Sequence, residues 1–235
     1  MNSSTEKNGM LSRRHFMLGT SAVASGGLAL GFNLLAPDTA LAQVKEGEPE
    51  VGVWVLVKPD DTVVIRIARS EMGQGTRTGL AQLVAEELAC DWSKVTTESP
   101  TPGQNLKRKR AWGDMSTGGS RGIRGSQDYV RRGGAAARMM LLQAAANEWS
   151  VPVIDLSVSK GIISHAASGR TISYGKIAAA AAKLPVPDTK SIVLKDPRTW
   201  QIAGKSMRRL DTDDKLNGKK STVSTLSWTG CCVPL

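Results

Sequence analysis

Two glycine-containing stretches have the residue types and spacing of loops that bind an anionic or polar ligand. The first reads Arg69-Ser70-Glu71-Met72-Gly73-Gln74-Gly75-Thr76 and joins a strand-like run to a helix-like run. Glycine lets the backbone approach a ligand closely, and a helix start offers unpaired N–H groups and a partial positive charge. Taken alone this pattern is weak, because most short glycine turns before a helix merely connect two elements.

The second stretch is longer and basic. Residues 99–126 are rich in Gly, Pro, Ser and Thr, and so long a loop in a compact domain is usually functional or disordered. Thr117-Gly118-Gly119-Ser120 precedes a predicted long helix, and Arg121 and Arg124 have guanidinium groups suited to phosphate. The Lys107-Arg108-Lys109-Arg110 run is typical of a nuclear signal or nucleic-acid patch, but an export signal predicted over residues 1–42 makes a solvated basic face the plainer interpretation.

Cysteine and histidine give no sign of a metal centre. Cys90 stands alone near the end of a predicted helix and is interpreted as a small core residue. Cys231 and Cys232 are adjacent, without the spacing of a disulfide framework or a zinc site. His165 is one of two histidines and is predicted to be structural. We therefore expect no side-chain metal ligand and assign no catalytic residue.

The elements that must position these loops follow from periodicity. A helix over residues 76–90 is predicted from apolar residues at helical spacing, with Glu86 and Glu87 expected largely off its buried face. The other predicted elements are strands over 51–57, 62–69 and Val95–Glu98, a helix over Gln127–Trp149, strands over Leu156–Ser159, 161–165 and 171–173, and a helix over 174–183. This pattern predicts an α+β fold, with helices packed on small mixed or antiparallel sheets.

Residues 1–42 are predicted to be a twin-arginine export signal. Ser12-Arg13-Arg14-His15-Phe16-Met17 opens an apolar run, the next charge is Asp38, and Ala40-Leu41-Ala42 offers small residues for cleavage. An uncleaved membrane anchor is the alternative, since the run is nearly long enough to span a bilayer. Cleavage lowers the net charge from +10 by one, which still favours an anionic partner. We expect a periplasmic protein that meets the twin-arginine (Tat) translocase during export, often after a cofactor is inserted.

Four stretches in order make this sequence resemble the large, molybdopterin-binding subunit of molybdenum hydroxylases. The type is the isoquinoline 1-oxidoreductase β-subunit, within the xanthine dehydrogenase and aldehyde oxidase family. The stretches read WVLVKPDDTVVIRIARSEMGQGTRTGLAQLVAEEL, STGGSRGIRGSQDYVRRGGAAARMMLLQAAANEW, HAASGRTISYGKIAAAAAKLPVP and LKDPRTWQIAGKSMRRLDTDDKLNGK. They cover nearly all of residues 50–219, and the resemblance implies that residues 51–183 form part of a molybdopterin-binding domain.

The resemblance implies an oxidoreductase that hydroxylates a small N-heterocyclic aromatic or an aldehyde with oxygen taken from water. The metal is molybdenum, held by the dithiolene of molybdopterin in its cytosine dinucleotide form. Electrons are expected to leave through [2Fe–2S] clusters on a small partner subunit, with a cytochrome c as an acceptor; no nucleic acid is expected as a partner. The implied cofactor-binding residues are Met72, Gly73, Gln74 and Gly75 for the pterin end, and Thr117, Gly118, Gly119, Ser120 and Arg124 for the pyrophosphate.

The chain departs from that family toward its end. Residues 43–50 are predicted to be a linker, and residues 184–219 are predicted to be an extended linker toward a further domain. Residues 220–235 form a tail that does not resemble the family, and a frameshift in the gene would explain this tail. The family's catalytic glutamate, near a Gly-x-Gly-Glu run, has no counterpart here, so this chain alone is predicted to be inactive. The alternatives are a small exported protein that binds nucleotide or polyanion without catalysis, and a pseudogene product.

Overall fold

The computed structural model describes residues 50–217. The predicted export signal (1–42), all but the last residue of the predicted linker (43–50), and the tail (220–235) with its two cysteines lie outside the described residues. Within residues 50–217, no helix combines the length and the apolar character that crossing a bilayer requires.

The first sheet has three strands. β1 (Val55–Val57) pairs antiparallel with β2 (Val63–Arg66), so that Val55 faces Ile65. β3 (Val95–Glu98) pairs parallel with β2, with Val95 opposite Val63. The predicted hairpin is thus confirmed, but its first strand is shorter than predicted. The backbone turns at Gly52, where φ is +80°, and regular pairing begins only at Val55.

Two long helices cross over this sheet. α1 (Thr76–Leu88) begins where predicted and ends at Leu88, because Ala89 adopts the left-handed conformation with φ of 57°. After the short α2 (Pro102–Lys107), α3 (Gln127–Trp149) has the predicted bounds. Their crossing is close: a Cβ built on Gly134 would lie 2.6 Å from the Val84 carbonyl oxygen. A glycine is therefore required at this point of α3.

A second sheet and a helix complete the described fold. β4 (Leu156–Ser159), β5 (Ile162–His165) and β6 (Arg170–Ser173) form an antiparallel sheet, followed by α4 (Tyr174–Ala181). The start of α4 is tied to the β1–β2 turn, since the Gly175 N–H donates to Asp61 Oδ1 at 2.8 Å. The Tyr174 hydroxyl donates to the Leu88 carbonyl at 2.7 Å. The predicted α+β class with small mixed and antiparallel sheets is confirmed.

Two local predictions were wrong. The stretch 99–126 was predicted without a helix, but it contains α2, whose start is closed by reciprocal hydrogen bonds between Thr101 and Gln104. Glu86 and Glu87 were expected off the buried face of α1, yet they are 2% and 0% exposed. Glu87 pairs with Arg131 of α3 at 2.8 Å, and both carboxylates accept from backbone N–H groups of the segment after α4, which continues to α5 (Thr212–Leu216). Domain boundaries within the chain remain a prediction.

Candidate functional site

The two glycine loops, separated by about forty residues in the sequence, are joined in the structure. The Ser70 N–H donates to Thr117 Oγ1 at 2.8 Å. Arg69, whose side chain is 8% exposed, donates from Nε to Ser126 Oγ at 3.0 Å and from Nη1 to the Ser116 carbonyl. A single buried guanidinium therefore fixes the part of the second loop between Ser116 and Ser126 to the first loop.

A cavity of about 290 Å³ opens where the loops meet. Five of the predicted cofactor-binding residues line it: Met72, Gln74, Thr117, Gly118 and Ser120. The remaining lining residues are Thr76, Arg121, Gly122 and Ile123. The site is open to solvent, and Met72 is 70% exposed. Two stretches recognised separately in the sequence thus form one concave surface.

Four predicted residues do not line this cavity: Gly73, Gly75, Gly119 and Arg124. Gly73 and Gly75 shape the first loop, with φ of 102° and 85°. Gly119 shapes the second, with φ of 57°. The Arg124 guanidinium lies 3.5 Å from the Gly119 carbonyl oxygen, the limit of a hydrogen bond. The cationic side chain on the cavity wall is Arg121, which was considered for phosphate but not assigned to the site.

The second loop has backbone donors available for an anion. Among residues 50–217, the N–H groups of Gly118, Gly119 and Ser120 find no hydrogen-bond acceptor. Gly119 and Ser120 both have left-handed φ values, 57° and 55°. Consecutive N–H groups in such a turn, beside an arginine, favour binding of an anionic group.

The first loop is different, because the N–H groups of its two glycines are already hydrogen-bonded within the chain. One oxygen of Glu71 accepts from the N–H groups of Gly73 at 2.8 Å and Gly75 at 3.0 Å, and the other accepts from Arg77 at 3.0 Å. Burial acts to raise the pKa of Glu71, but these backbone hydrogen bonds and the charge of Arg209 outweigh it and lower the pKa. The N–H groups expected to face a ligand are therefore held by the chain's own carboxylate.

The Gln74 amide is also folded into its own loop. Its Oε1 accepts from the Met72 N–H at 2.6 Å, and its Nε2 donates to the Ser70 carbonyl at 2.9 Å. The loop thus reaches its shape through its own side chains, with Gln74 still on the cavity wall.

Arg209 contacts the first loop from far along the chain. Its Nη1 donates to the Gly73 carbonyl at 3.1 Å, and its Nη2 lies 3.3 Å from Glu71 Oε1. Asp211, 1% exposed, pairs with the same guanidinium at 3.0 Å. The hydrogen bond from Arg209 is the main reason that the pKa of Asp211 is well below its ordinary value. Arg209 carries no motif of its own, and its only signal was its place in the last of the resembling stretches.

Close packing joins the second loop to α1. A Cβ on Gly122 would lie 2.9 Å from Thr76 Oγ1, and one on Gly79 would lie 2.9 Å from Ile123 Cδ1. Glycine at both positions lets the loop lie against the first turn of the helix, which closes one side of the cavity.

Other candidate chemistry lies apart from this site. Within residues 50–217, no group of three or more His, Cys, Asp and Glu side chains is arranged to hold a metal ion. His165 is 8% exposed, with Nδ1 2.7 Å from Ser168 Oγ. Cys90 is buried, and burial raises the pKa of its thiol to about 12. Both residues have the environments of structural groups.

Comparisons with known proteins show the family to which this chain belongs. A family model described as the molybdopterin cofactor-binding domain matches residues 21–232. The chain belongs to this family. It is 30% identical over 241 residues to the isoquinoline 1-oxidoreductase subunit beta of Brevundimonas diminuta, covering 89% of this chain and 31% of that protein. It is also 30% identical over 226 residues to a membrane-bound aldehyde dehydrogenase (pyrroloquinoline-quinone) of Gluconacetobacter polyoxogenes, covering 88% of this chain and 27% of that protein.

This member of the molybdopterin cofactor-binding family spans only about a third of the length of the curated relatives it matches. Among solved structures, the reconstituted CO dehydrogenase from Oligotropha carboxidovorans is 21% identical with a TM-score of 0.41, over 54% of this chain and 15% of that one. The family model and the isoquinoline 1-oxidoreductase relative confirm the resemblance to molybdopterin-binding subunits seen in the sequence.

Proposed function

We propose that this chain is the N-terminal part of a molybdenum hydroxylase large subunit that oxidises N-heterocyclic aromatics or aldehydes, with water as the oxygen source. Its relatives include an isoquinoline oxidoreductase subunit and an aldehyde dehydrogenase, which supports both substrate classes. The observation that carries the proposal is the cavity at the junction of the two glycine loops.

The residues of this cavity fit a molybdopterin dinucleotide. The unpaired N–H groups of Gly118, Gly119 and Ser120, together with Arg121, suit the pyrophosphate. In this proposal Met72 and Gln74, which line the cavity from the first loop, contact the pterin end, and Gly73 and Gly75 shape that loop. Thr117 ties the two walls together through Ser70, and Arg124 lies at the edge of the second loop.

When bound, the cofactor supplies the molybdenum at which the substrate is oxidised. The share of this chain is to bind and orient the cofactor, as proteins do for such groups. No described residue is assigned as the catalytic base, and we propose that the chain alone is inactive. In this proposal the complete enzyme has a small [2Fe–2S] subunit as its partner and a cytochrome c as its electron acceptor. Its cofactor is the cytosine dinucleotide form of molybdopterin. The enzyme is exported to the periplasm by the twin-arginine route.

The test is the metal and pterin content of the full chain, purified from a host that makes molybdopterin dinucleotides. We expect molybdenum near one atom per chain in the wild type. We expect a loss of at least about tenfold in Arg121→Ala, since a lost charge-assisted contact to phosphate is worth roughly 1.5–3 kcal/mol. Arg198→Ala is the matched control, because the Arg198 side chain is 91% exposed and far along the chain. Wild-type chain without molybdenum or pterin would contradict the proposal.

A second candidate is a small exported protein that binds a nucleotide or polyanion without catalysis. It is favoured by the exposed basic side chains of Lys107, Lys109 and Arg110, while Arg108 of the same run turns to pair with Glu50. Salt separates the two candidates: the affinity of a polyanion binder falls steeply and linearly on a logarithmic salt scale. Retention of molybdopterin through a high-salt wash would exclude this candidate.

A further inference from the structure

One carboxylate occupies the N terminus of α1. Glu71 accepts hydrogen bonds from Gly73, Gly75 and Arg77 at 2.8–3.0 Å, and its side chain is 6% exposed. The first N–H groups of a helix have no partner within the helix, and they carry a partial positive charge that favours an anion. Because Glu71 lies just before the helix, the anion here is part of the chain.

The loop between Glu71 and α1 is held by side-chain hydrogen bonds, since Gln74 also bonds to the Met72 N–H and the Ser70 carbonyl. Gly73 and Gly75 both have positive φ values, and a Cβ on Gly73 would have no neighbouring atom within 4 Å. Packing therefore does not fix Gly73, and glycine in an unfolded or loosened loop samples many conformations. The bonds that converge on Glu71 fix both glycines of the loop, and those of Gln74 fix the turn between Ser70 and Gln74.

Arg209 completes the arrangement from the opposite side. It contacts both the Gly73 carbonyl and the Glu71 carboxylate, and it is itself held by Asp211. Lys215 lies 2.7 Å from the second oxygen of Asp211. Two acidic and two basic side chains thus alternate, so the buried carboxylates are neutralised in place.

We propose that Glu71 is a positioning residue of the cavity: it is a built-in anion that holds the first glycine loop in the shape that presents Met72 and Gln74 to the ligand, with Arg209 as its counter-charge. This role rests on the proposed function, in which the cavity binds the cofactor. The first loop then meets the ligand with side chains, while the free N–H groups and Arg121 on the second loop receive its anionic part.

The proposal is tested by removing the carboxylate and returning it from solution. In the full chain at neutral pH, Glu71→Ala should lower the Tm by about 5 °C or more, since several bonds to a buried charge are lost. Sodium acetate should restore at least half of that loss in Glu71→Ala, beyond the effect of sodium chloride at equal ionic strength. Glu148→Ala is the control, because Glu148 is exposed on α3 and has no hydrogen-bond or ion-pair partner among the described residues.

A second measurement covers the case in which Glu71→Ala does not fold. Glu71→Gln keeps the size of the side chain but removes its charge, and it places an amide NH₂ next to backbone donors. Hydrogen exchange at Gly73, Gly75 and Arg77 should become at least about tenfold faster in this variant, with exchange in α3 unchanged. Unchanged exchange at these three amides, or an Ala variant as stable as wild type or indifferent to acetate, would overturn the proposal.

These readouts need no molybdenum, so the two proposals fail separately. A chain that contains molybdenum but shows neither the acetate effect nor faster exchange contradicts the role of Glu71 alone. A chain that shows both effects but binds no molybdenum contradicts the proposed function. Glu71 would then still hold the loop in shape, but the loop would not bind a cofactor.

Discussion

The carboxylate of Glu86 accepts a hydrogen bond from the backbone N–H of Ile202 at 2.6 Å, across 116 residues of sequence. The N–H groups of Gln201 and Ala203 donate to the same oxygen at 2.8 and 3.2 Å, and Lys195 lies 3.2 Å from the other. A buried charge costs free energy unless it is paired and hydrogen-bonded. These four donors meet that requirement, and they fix the segment after α4 to α1.

Replacing Glu86 by alanine should release that segment. We expect the free energy of unfolding to fall by about 3 kcal/mol, because three buried N–H groups lose the carboxylate that accepts from them and Lys195 keeps only the backbone carbonyl of residue 86. Urea unfolding measures this loss, and limited proteolysis should show new cleavage within residues 195–203. Glu148→Ala, at an exposed position on α3, is the matched control. Equal stability of the two variants would show that the network contributes nothing.

The same carboxylate should make stability depend on pH. Burial acts to raise the pKa of Glu86, but the N–H groups of Ile202, Gln201 and Ala203 and the Lys195 ammonium lower it below the ordinary 4.5. As the pH falls, the Glu86 carboxyl is therefore protonated first in the unfolded chain. Its contribution to stability is complete above pH 4.5 and is lost as the pH falls through the lower pKa that Glu86 has in the folded protein.

Glu86→Gln isolates that contribution. Its unfolding free energy should fall less steeply than that of the wild type between pH ~6 and ~3, since one linked proton is missing. Urea titrations at several pH values measure both slopes. Other carboxylates with lowered pKa values, including Glu50 and Asp61, titrate in both proteins and cancel in the difference. Parallel slopes would contradict the assignment to Glu86.

Gly134→Ala should separate α1 from α3. The added methyl would lie 2.6 Å from the Val84 carbonyl oxygen and 3.2 Å from Glu87 Cβ. The nearest atom belongs to the backbone of α1, which cannot move aside as a flexible side chain could. We expect a loss of about 2 kcal/mol despite the better helix propensity of alanine. Gly103→Ala is the control, since its nearest neighbour would be 3.9 Å away. Thermal unfolding measures the stability of both variants. A Gly134→Ala variant as stable as the wild type would show that the two helices move apart at the crossing without cost.

Arg69→Lys should uncouple the two glycine loops. An ammonium group lacks the planar fork that reaches Ser126 and Ser116 together. We expect a modest loss of stability, about 1–2 kcal/mol, and faster hydrogen exchange in residues 116–126. Arg198→Lys, at a side chain that is 91% exposed, should leave both unchanged. Unaltered exchange in Arg69→Lys would mean that the loops are joined by packing alone.

Local sequence patterns predicted most elements because those elements are formed by local interactions. The helix Gln127–Trp149 matches its predicted bounds, and the first hairpin and the strand pair after α3 are where periodicity placed them. α2 was not predicted although Thr101 and Gln104 form a capping box at its start and Pro102 is its first residue. A helix of six residues is too short for periodicity to reveal among glycine and proline.

The sequence by itself determined the order of the elements, the two glycine loops and the family, since turn chemistry, hydrophobic period and motif are written in neighbouring residues. Only the tertiary structure decided that the loops share one cavity, that Glu71 occupies the donors of Gly73 and Gly75, and that Glu86 is buried. The fate of a carboxylate depends on which donors surround it. For Glu71 and Glu86 some of those donors, Arg209 and Ile202, lie more than a hundred residues away and are brought near only by folding.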